Sequence, residues 1–282
     1  MKKLLLLLLV MSFALIVTAC GNNDAGEQEQ TSESEQGTNE ETNNQGEASL
    51  LDQIKEKGEL RIGTEGTYRP FSYHDEKTGE LTGFDVEIAR EVAKRLGVEP
   101  VFMETQWDAI FAGLDADRFD MIANQVGIRP DRQEKYDFSD PYISSAAVLV
   151  AHKDNNDVKS FEDVKGIKSA QTLTSNYGDL AREHGAEIVS VEGFNQSIDL
   201  IVSKRVDVTF NDSLTVLDYL QQKPDAPVQI VARAEDASQS GLMFRKGNSE
   251  LVEAANEALQ AMHEDGTYLE ISEKWFGEDV SK

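Results

Sequence analysis

With one cysteine in 282 residues, the chain cannot form an intramolecular disulfide, so whatever folds must be held by its core alone. Histidine is also scarce, and none of His74, His152, His184 and His263 stands beside a nucleophile. The patterns G-x-S-x-G, H-E-x-x-H and C-x-x-C are missing, which leaves hydrolytic-triad, zinc-protease and dithiol chemistry without sequence support. "DNNDVKSFEDVKG", residues 154–166, resembles a calcium loop only in its aspartates and asparagines, because Lys159 stands where the sixth-position glycine is needed. No metal or cofactor is expected. Basic residues are outnumbered 52 to 27, for a net charge of −25, which argues against nucleic acid as a partner.

What is present begins with "MKKLLLLLLVMSFALIVTAC": two lysines, an apolar run from Leu4 to Val17, then Thr18, Ala19 and Cys20. The run is short for a membrane span, and small residues lead straight into the cysteine. This reads as a lipoprotein signal over 1–19, with Cys20 the lipidated mature terminus, rather than as a transmembrane anchor. One acyl chain anchors only marginally, so a diacylglyceryl thioether plus an N-acyl chain is expected. Residues 20–48 carry eight acidic and no basic side chains and no aromatic, the composition of a disordered tether.

From Leu50 onward, strand-like and helix-like segments alternate. "ELRIGTEG", "VEPVFMETQ" and "FDMIANQV" read as strands separated by the helices "TGFDVEIAREVAKRLG" and "WDAIFAGLDADR". The first helix has an apolar stripe at Phe84, Ile88, Val92 and Leu96, a Thr82–Asp85 capping pair and a stop at Gly97. A second set follows: strand "AAVLVAHK", short helix "SFEDVKG", strand "IKSAQ", helix "SNYGDLAREHG", strand "AEIVSV", helix "NQSIDLIVSKR", strand "VDVTFND". Arg118-Phe119-Asp120 with Asn124, and Arg205-Val206-Asp207 with Asn211, repeat one spacing and favour two similar α/β lobes.

Ligands of open α/β sheets bind beyond the carboxyl ends of the strands. The residues there are Glu65, Tyr68, Asn124, Gln125 and Asp212, with Thr174, Ser175 and Asn176 opening a helix whose free N–H groups favour an anion. A guanidinium from Arg132, a lone aspartate and aromatic walls suit an α-amino acid. Each residue also has a plainer role: Arg132 in a surface ion pair with Asp131, Glu134 or Asp137, Asp212 as a helix cap, Trp107 and Tyr68 as core, and Glu65 as a solvent-facing carboxylate.

The segments "GTEGTYRPFSY", "LTGFDVEIAREVAKRLG", "NQVGIRPDRQEKYDFSDPY" and "DGTYLEISEKWFGEDVSK" resemble the family-3 extracellular solute-binding proteins of polar amino-acid ABC importers, most of all the L-cystine-binding branch. The resemblance implies a two-lobe type II periplasmic-binding-protein fold. The first lobe would comprise 49–146 and 239–282 and the second 147–238, with crossings near Ser145–Val148 and Ser238–Leu242 and "SQSGLMFRKGN" as a returning strand. It implies that Tyr68 and Trp107 wall the ligand, that Gly127, Arg132 and the backbone of Asn176 take its α-carboxylate, and that Asp212 takes its ammonium. Gly127 departs from the Ser or Thr of many relatives, and Thr174-Ser175 from their Gly-Thr, so Asn124 or Gln125 is expected to supply the missing contact. The implied partners are L-cystine and a membrane permease, the implied state a monomer. A dehydratase-like enzyme on the same fold and a purely structural surface lipoprotein are the rival readings.

Overall fold

The computed structural model describes residues 48–282. The signal sequence, Cys20 and the tether up to residue 47 lie outside the described residues. Elements are numbered in chain order. Helix α1 (Leu50–Lys57) is capped by Ser49, which accepts the Asp52 N–H at 3.2 Å. Strand β1 (Glu59–Thr64) is followed by a small antiparallel sheet of β2 (Thr67–Tyr68), β3 (Ser72–His74) and β4 (Leu81–Thr82). Helix α2 (Phe84–Leu96) buries Phe84, Ile88 and Val92 completely and stops at Gly97, whose φ of 79° is the left-handed cap that glycine accepts without strain. The expected Thr82–Asp85 capping pair does not form. Gly83 is the N-cap, and Asp85 turns into the core to accept hydrogen bonds from Gln125 and Tyr142.

Next come β5 (Glu99–Glu104), α3 (Trp107–Asp115), β6 (Met121–Ile122), α4 (Pro130–Gln133) and β7 (Tyr136–Phe138). The strand expected over 119–126 shrinks to two residues because Gln125 takes a left-handed backbone, φ 53°, that turns the chain out of the sheet. The chain continues through β8 (Ile143–His152), β9 (Lys168–Gln171), α5 (Asn176–Glu183), β10 (Glu187–Ser190), α6 (Phe194–Val202), β11 (Val208–Asp212), α7 (Ser213–Gln222) and β12 (Val228–Ser240). "SFEDVKG" keeps only a single 3-10 turn, Glu162–Val164. "SQSGLMFRKGN" splits at Gly241 between the end of β12 and β13 (Met243–Arg245), and α8 (Ser249–Asp265) and α9 (Thr267–Phe276) close the chain.

Two five-stranded sheets result, one lobe each. The first runs β5-β1-β6-β13-β7, with β1 parallel to β5 and β6 and with β13 antiparallel to both its neighbours. The second runs β10-β9-β11-β8-β12. Strand alternation sends Met121 and Phe244 to a core with α1, α2, α8 and α9, while Ile122 and Met243 face α3 on the other side. In the second sheet Val148 and Val150 pack with α6 and α7, and Leu149 and Ala151 with α5. Both faces of each sheet are thereby covered. The chain passes between lobes along β8 and returns along β12, which pair antiparallel with Ser145 opposite Ser238 and Ile143 opposite Ser240.

The sequence repeat has a structural counterpart. The Asp120 carboxylate accepts the β1 N–H of Arg61 at 3.0 Å, and the Asp207 carboxylate accepts the β9 N–H of Lys168 at 2.8 Å. Each aspartate returns its own N–H to the same residue's carbonyl, so each motif fixes its strand beside its neighbour and delivers an asparagine to the strand end.

Candidate functional site

Between the lobes lies a partly enclosed cleft lined by residues of both. Of the residues expected there, Glu65, Tyr68, Trp107, Asn124, Gln125, Ser175 and Asn176 line it. Gln171, Thr172, Tyr177, Phe194 and Asn211 line it as well. Asn211 was legible as the repeat counterpart of Asn124. Tyr177 and Phe194 had no comparable signal, since an aromatic near a helix start is usually core.

The first lobe supplies a fixed polar floor. Asn124 is fully buried, and its Oδ1 accepts from Thr64 Oγ1, the Glu65 N–H and Ser72 Oγ at 3.0, 2.8 and 3.1 Å. Its Nδ2 donates to Glu65 Oε2 at 2.7 Å, so this amide organises Glu65 more than it faces the cavity. Burial pushes the Glu65 carboxyl up to about 7. The Asn124 hydrogen bond opposes that rise, the nearby Asp108 charge adds to it, and the Trp107 N–H opposes it. Gln125 donates its backbone N–H and Nε2 to Asp85 at 2.8 and 3.1 Å, which leaves its Oε1 buried and unpartnered. Trp107 is 7% exposed, and its Nε1 is likewise a buried donor without a partner. One wall thus offers an acceptor, a donor and a carboxylate to whatever fills the cleft, because buried polar groups otherwise remain costly.

Arg132 stands against this wall without lining it, its guanidinium carbon 5.6 Å from the Trp107 ring and 5.3 Å from Phe111. It is 6% exposed and makes no ion pair among the described residues. The expected surface partners are engaged elsewhere: Asp131 with Arg129 and Asp137 with Lys246. Arg132 donates only to the carbonyls of Gly127 at 3.0 Å and Thr174 at 3.3 Å. Burial, then the charge of Arg129, lowers its pKa to about 10. A buried cation facing only carbonyls is short of an anion. Gly127 lies off the cavity wall in a bridge with Ser240, and a Cβ there would meet Arg132 Nη1 at an ordinary 3.6 Å.

Two further residues are placed away from the cavity. The Thr174 hydroxyl and N–H go to the Asp108 carboxylate across the cleft, at 2.8 and 3.0 Å. Asp212 is 2% exposed and caps α7 by accepting the Leu214 N–H at 2.8 Å. It also accepts from Tyr177 Oη at 3.0 Å and from Ser145 Oγ. Burial holds its carboxyl above the usual range. The capping role is thus present, and Asp212 meets the cavity through the lining residues Tyr177 and Asn211. Ser175 caps α5 by accepting the Gly178 N–H at 3.0 Å, which directs the helix start at the cavity.

The two lobes are in contact across the cleft. Tyr68 Oη donates to Asn211 at 2.8 Å, Arg69 pairs with Asp218 at 2.8 Å, and Arg129 pairs with Asp179 at 2.8 Å. Together with the Asp108 and Arg132 contacts, these define a closed arrangement.

Comparison with known proteins agrees with this geometry. The family model of bacterial extracellular solute-binding proteins, family 3, matches residues 60–278. The L-cystine-binding protein TcyA of Bacillus subtilis (strain 168) is 50% identical over 281 residues, covering 100% of this chain and 99% of that protein. The L-cystine-binding protein TcyJ of Escherichia coli (strain K12) is 39% identical, covering 83% and 88%. Among solved structures, an ancestral arginine-binding protein bound to glutamine superposes with a TM-score of 0.75 at 38% identity, covering 78% of this chain and 99% of that one. The unliganded open L-cystine solute receptor of Neisseria gonorrhoeae is 52% identical over 83% of this chain and 100% of that one, yet its TM-score is only 0.56. The more similar sequence gives the poorer superposition, as it must when lobes are closed here and open there. With this two-lobe fold, this cleft and a match over most of its length, the chain belongs to the family-3 bacterial extracellular solute-binding proteins.

Proposed function

We propose that the protein captures L-cystine outside the cell and delivers it to the membrane permease of an ABC importer. It acts as a monomer held to the membrane by lipid on Cys20. We place the division into lobes, 49–146 with 239–282 and 147–238, within the β8–β12 ladder through which the chain crosses and returns. The observation that carries the reading is Arg132, a buried cation with no carboxylate partner among the described residues, next to a wall that holds the Glu65 carboxylate and the unpartnered Gln125 Oε1 and Trp107 Nε1. In the proposed complex one α-carboxylate lies against Arg132, Gly127 and the N–H groups of Ser175 and Asn176 at the start of α5, beside Thr174, whose own N–H stays on Asp108. Asp212 draws the adjoining ammonium, with Tyr177 between them. Tyr68 and Trp107 flank the disulfide-bearing chain, and the far ammonium lies on Glu65 and Gln125, with Asn124 holding Glu65 in place. The 50% identical relative named for L-cystine supports the choice of ligand.

Calorimetry with L-cystine, L-glutamine, L-arginine and L-histidine tests it. L-Cystine should bind tightest to the wild type, and Arg132→Met should weaken it more than tenfold, about 2 to 5 kcal/mol for a lost buried charged hydrogen bond. Preference for another of the four refutes the ligand, and an unaffected Arg132→Met refutes the role of the arginine. Replacing Cys20 with Ala should move the protein from the membrane to the soluble fraction. Retention of a chain shown by mass spectrometry to have lost its signal would refute the anchor.

A further inference from the structure

Thr174 and its neighbours form the most heavily bonded point between the lobes. Asp108, the second residue of α3, accepts the Leu173 N–H at 3.1 Å, the Thr174 N–H at 3.0 Å and the Thr174 hydroxyl at 2.8 Å. Arg132, also from the first lobe, donates to the Thr174 carbonyl at 3.3 Å. Every polar group of Thr174 is therefore satisfied from the opposite lobe.

The other cross-cleft polar contacts differ in kind. Tyr68–Asn211 is a single side-chain hydrogen bond, and Arg69–Asp218 and Arg129–Asp179, at the surface as Asp108 and Thr174 also are, are pairs of flexible side chains, which contribute little and are screened by salt. Asp108 instead gathers donors of which two are backbone N–H groups with fixed positions. They belong to the loop that leads into α5, whose cap Ser175 and first residue Asn176 line the cleft. Asp108 does not line the cavity itself.

We propose that Asp108 is a positioning residue for ligand capture: its carboxylate latches the 172–175 loop of the second lobe and so sets how firmly the cleft stays shut over a ligand it does not touch. A latch present only in the closed form multiplies the closure equilibrium. Weakening it lowers every ligand's affinity by one common factor, through faster release, and leaves capture by the open form unchanged. A residue in contact with the ligand would shift preferences among ligands instead.

The test uses stopped-flow binding and calorimetry at pH 8, where Glu65 is ionised, so that loss of the neighbouring Asp108 charge does not alter its protonation. Asp108→Ala should raise the dissociation rate of L-cystine about tenfold, as expected for lost hydrogen bonds to a charged group, with the association rate changed less than twofold. The ratio of affinities among the amino acids that bind should be unchanged. Thr174→Val removes the hydroxyl and keeps the N–H. It should cost a few-fold in the wild type and nothing further in the Asp108→Ala background. An unchanged dissociation rate, an altered affinity ratio, or a Thr174→Val effect that persists without Asp108 each overturns the latch. The inference does not depend on which amino acid is the ligand. If L-cystine fails to bind the wild type, the proposed ligand falls while the latch is read on whichever of the four does bind.

Discussion

At the scale of single residues, the cleft depends on the ionisation of Glu65, whose carboxyl titrates near 7 in the protein rather than near 4.5. Its pKa is raised on folding, so the stability it contributes is fully present below about 4.5 and is lost as pH rises through 7. Binding has the opposite slope. An ammonium on Glu65 requires the ionised form, so L-cystine affinity should fall as pH drops below 7, by up to about tenfold per unit. Proton release should appear as a buffer-dependent heat near pH 6. Glu65→Gln should bind more weakly at pH 8 and lose most of the dependence, with a residue left by Asp85, also raised to about 7 by burial beneath Gln125. A wild-type affinity flat from pH 8 to 5.5 would remove Glu65 from the ammonium. The strand-end rule picked Glu65, Tyr68, Asn124 and Gln125, which all line the cleft, although β6 stops at Ile122 rather than running on to Val126. The reading of helix starts misplaced Thr174, whose hydroxyl direction is fixed by an aspartate 66 residues away in the chain. It also read Asp85 as a cap, because only the fold brings Gln125 and Tyr142 to it.

At the scale of elements, a helix with a full apolar stripe was legible. Phe84, Ile88 and Val92 in α2 are all buried, as their spacing requires. The two-residue strands β2 and β4 were not, because two residues cannot display an alternation and owe their pairing to neighbours distant in sequence, and β6 was legible as a strand but not in its length. The Asp120 and Asp207 repeats were legible for a different reason: one local hydrogen-bond device recurs wherever a helix delivers a strand beside another. Helix α5 carries a constraint visible only in three dimensions. A Cβ on Gly178 would lie 2.6 Å from the Thr172 carbonyl oxygen, so Gly178→Ala must push the 172–175 loop away from the first turn of α5. Although alanine is the better helix former, the variant should be destabilised by about 1 to 3 kcal/mol, with a lower Tm. L-Cystine affinity should also drop, because the displaced turn carries Ser175 and Asn176. A Tm equal to or above that of the wild type would show that the loop accommodates the methyl group.

At the scale of the whole molecule, the two sheets are joined through β8 and β12, and that pairing decides how the lobes can move. The paired segments Ile143–Ala146 and Ala237–Ser240 lie between the sheets, and the register of β12 shifts between Arg233 and Ala237, where the ladder is interrupted. A two-stranded connection resists shear along its hydrogen bonds but bends across them, so the favoured motion is rotation of one lobe toward the other about these strands. Ser145 sits in this segment and donates to Asp212, so the aspartate proposed to draw the ligand ammonium is bonded directly to the connection. Rotation about it separates Asp108 from Thr174 and Tyr68 from Asn211 together, exposing the cleft walls. The prediction is a radius of gyration, from small-angle scattering, that decreases when saturating L-cystine is added to the ligand-free protein. Ser145→Ala should keep that decrease while lowering affinity, since it cuts the link between Asp212 and the connecting strand and leaves the strand pairing intact. A radius unchanged by a ligand whose binding calorimetry has confirmed would mean that the lobes stay shut in both states, and ligand would then have to enter by local movement of the 172–175 loop alone.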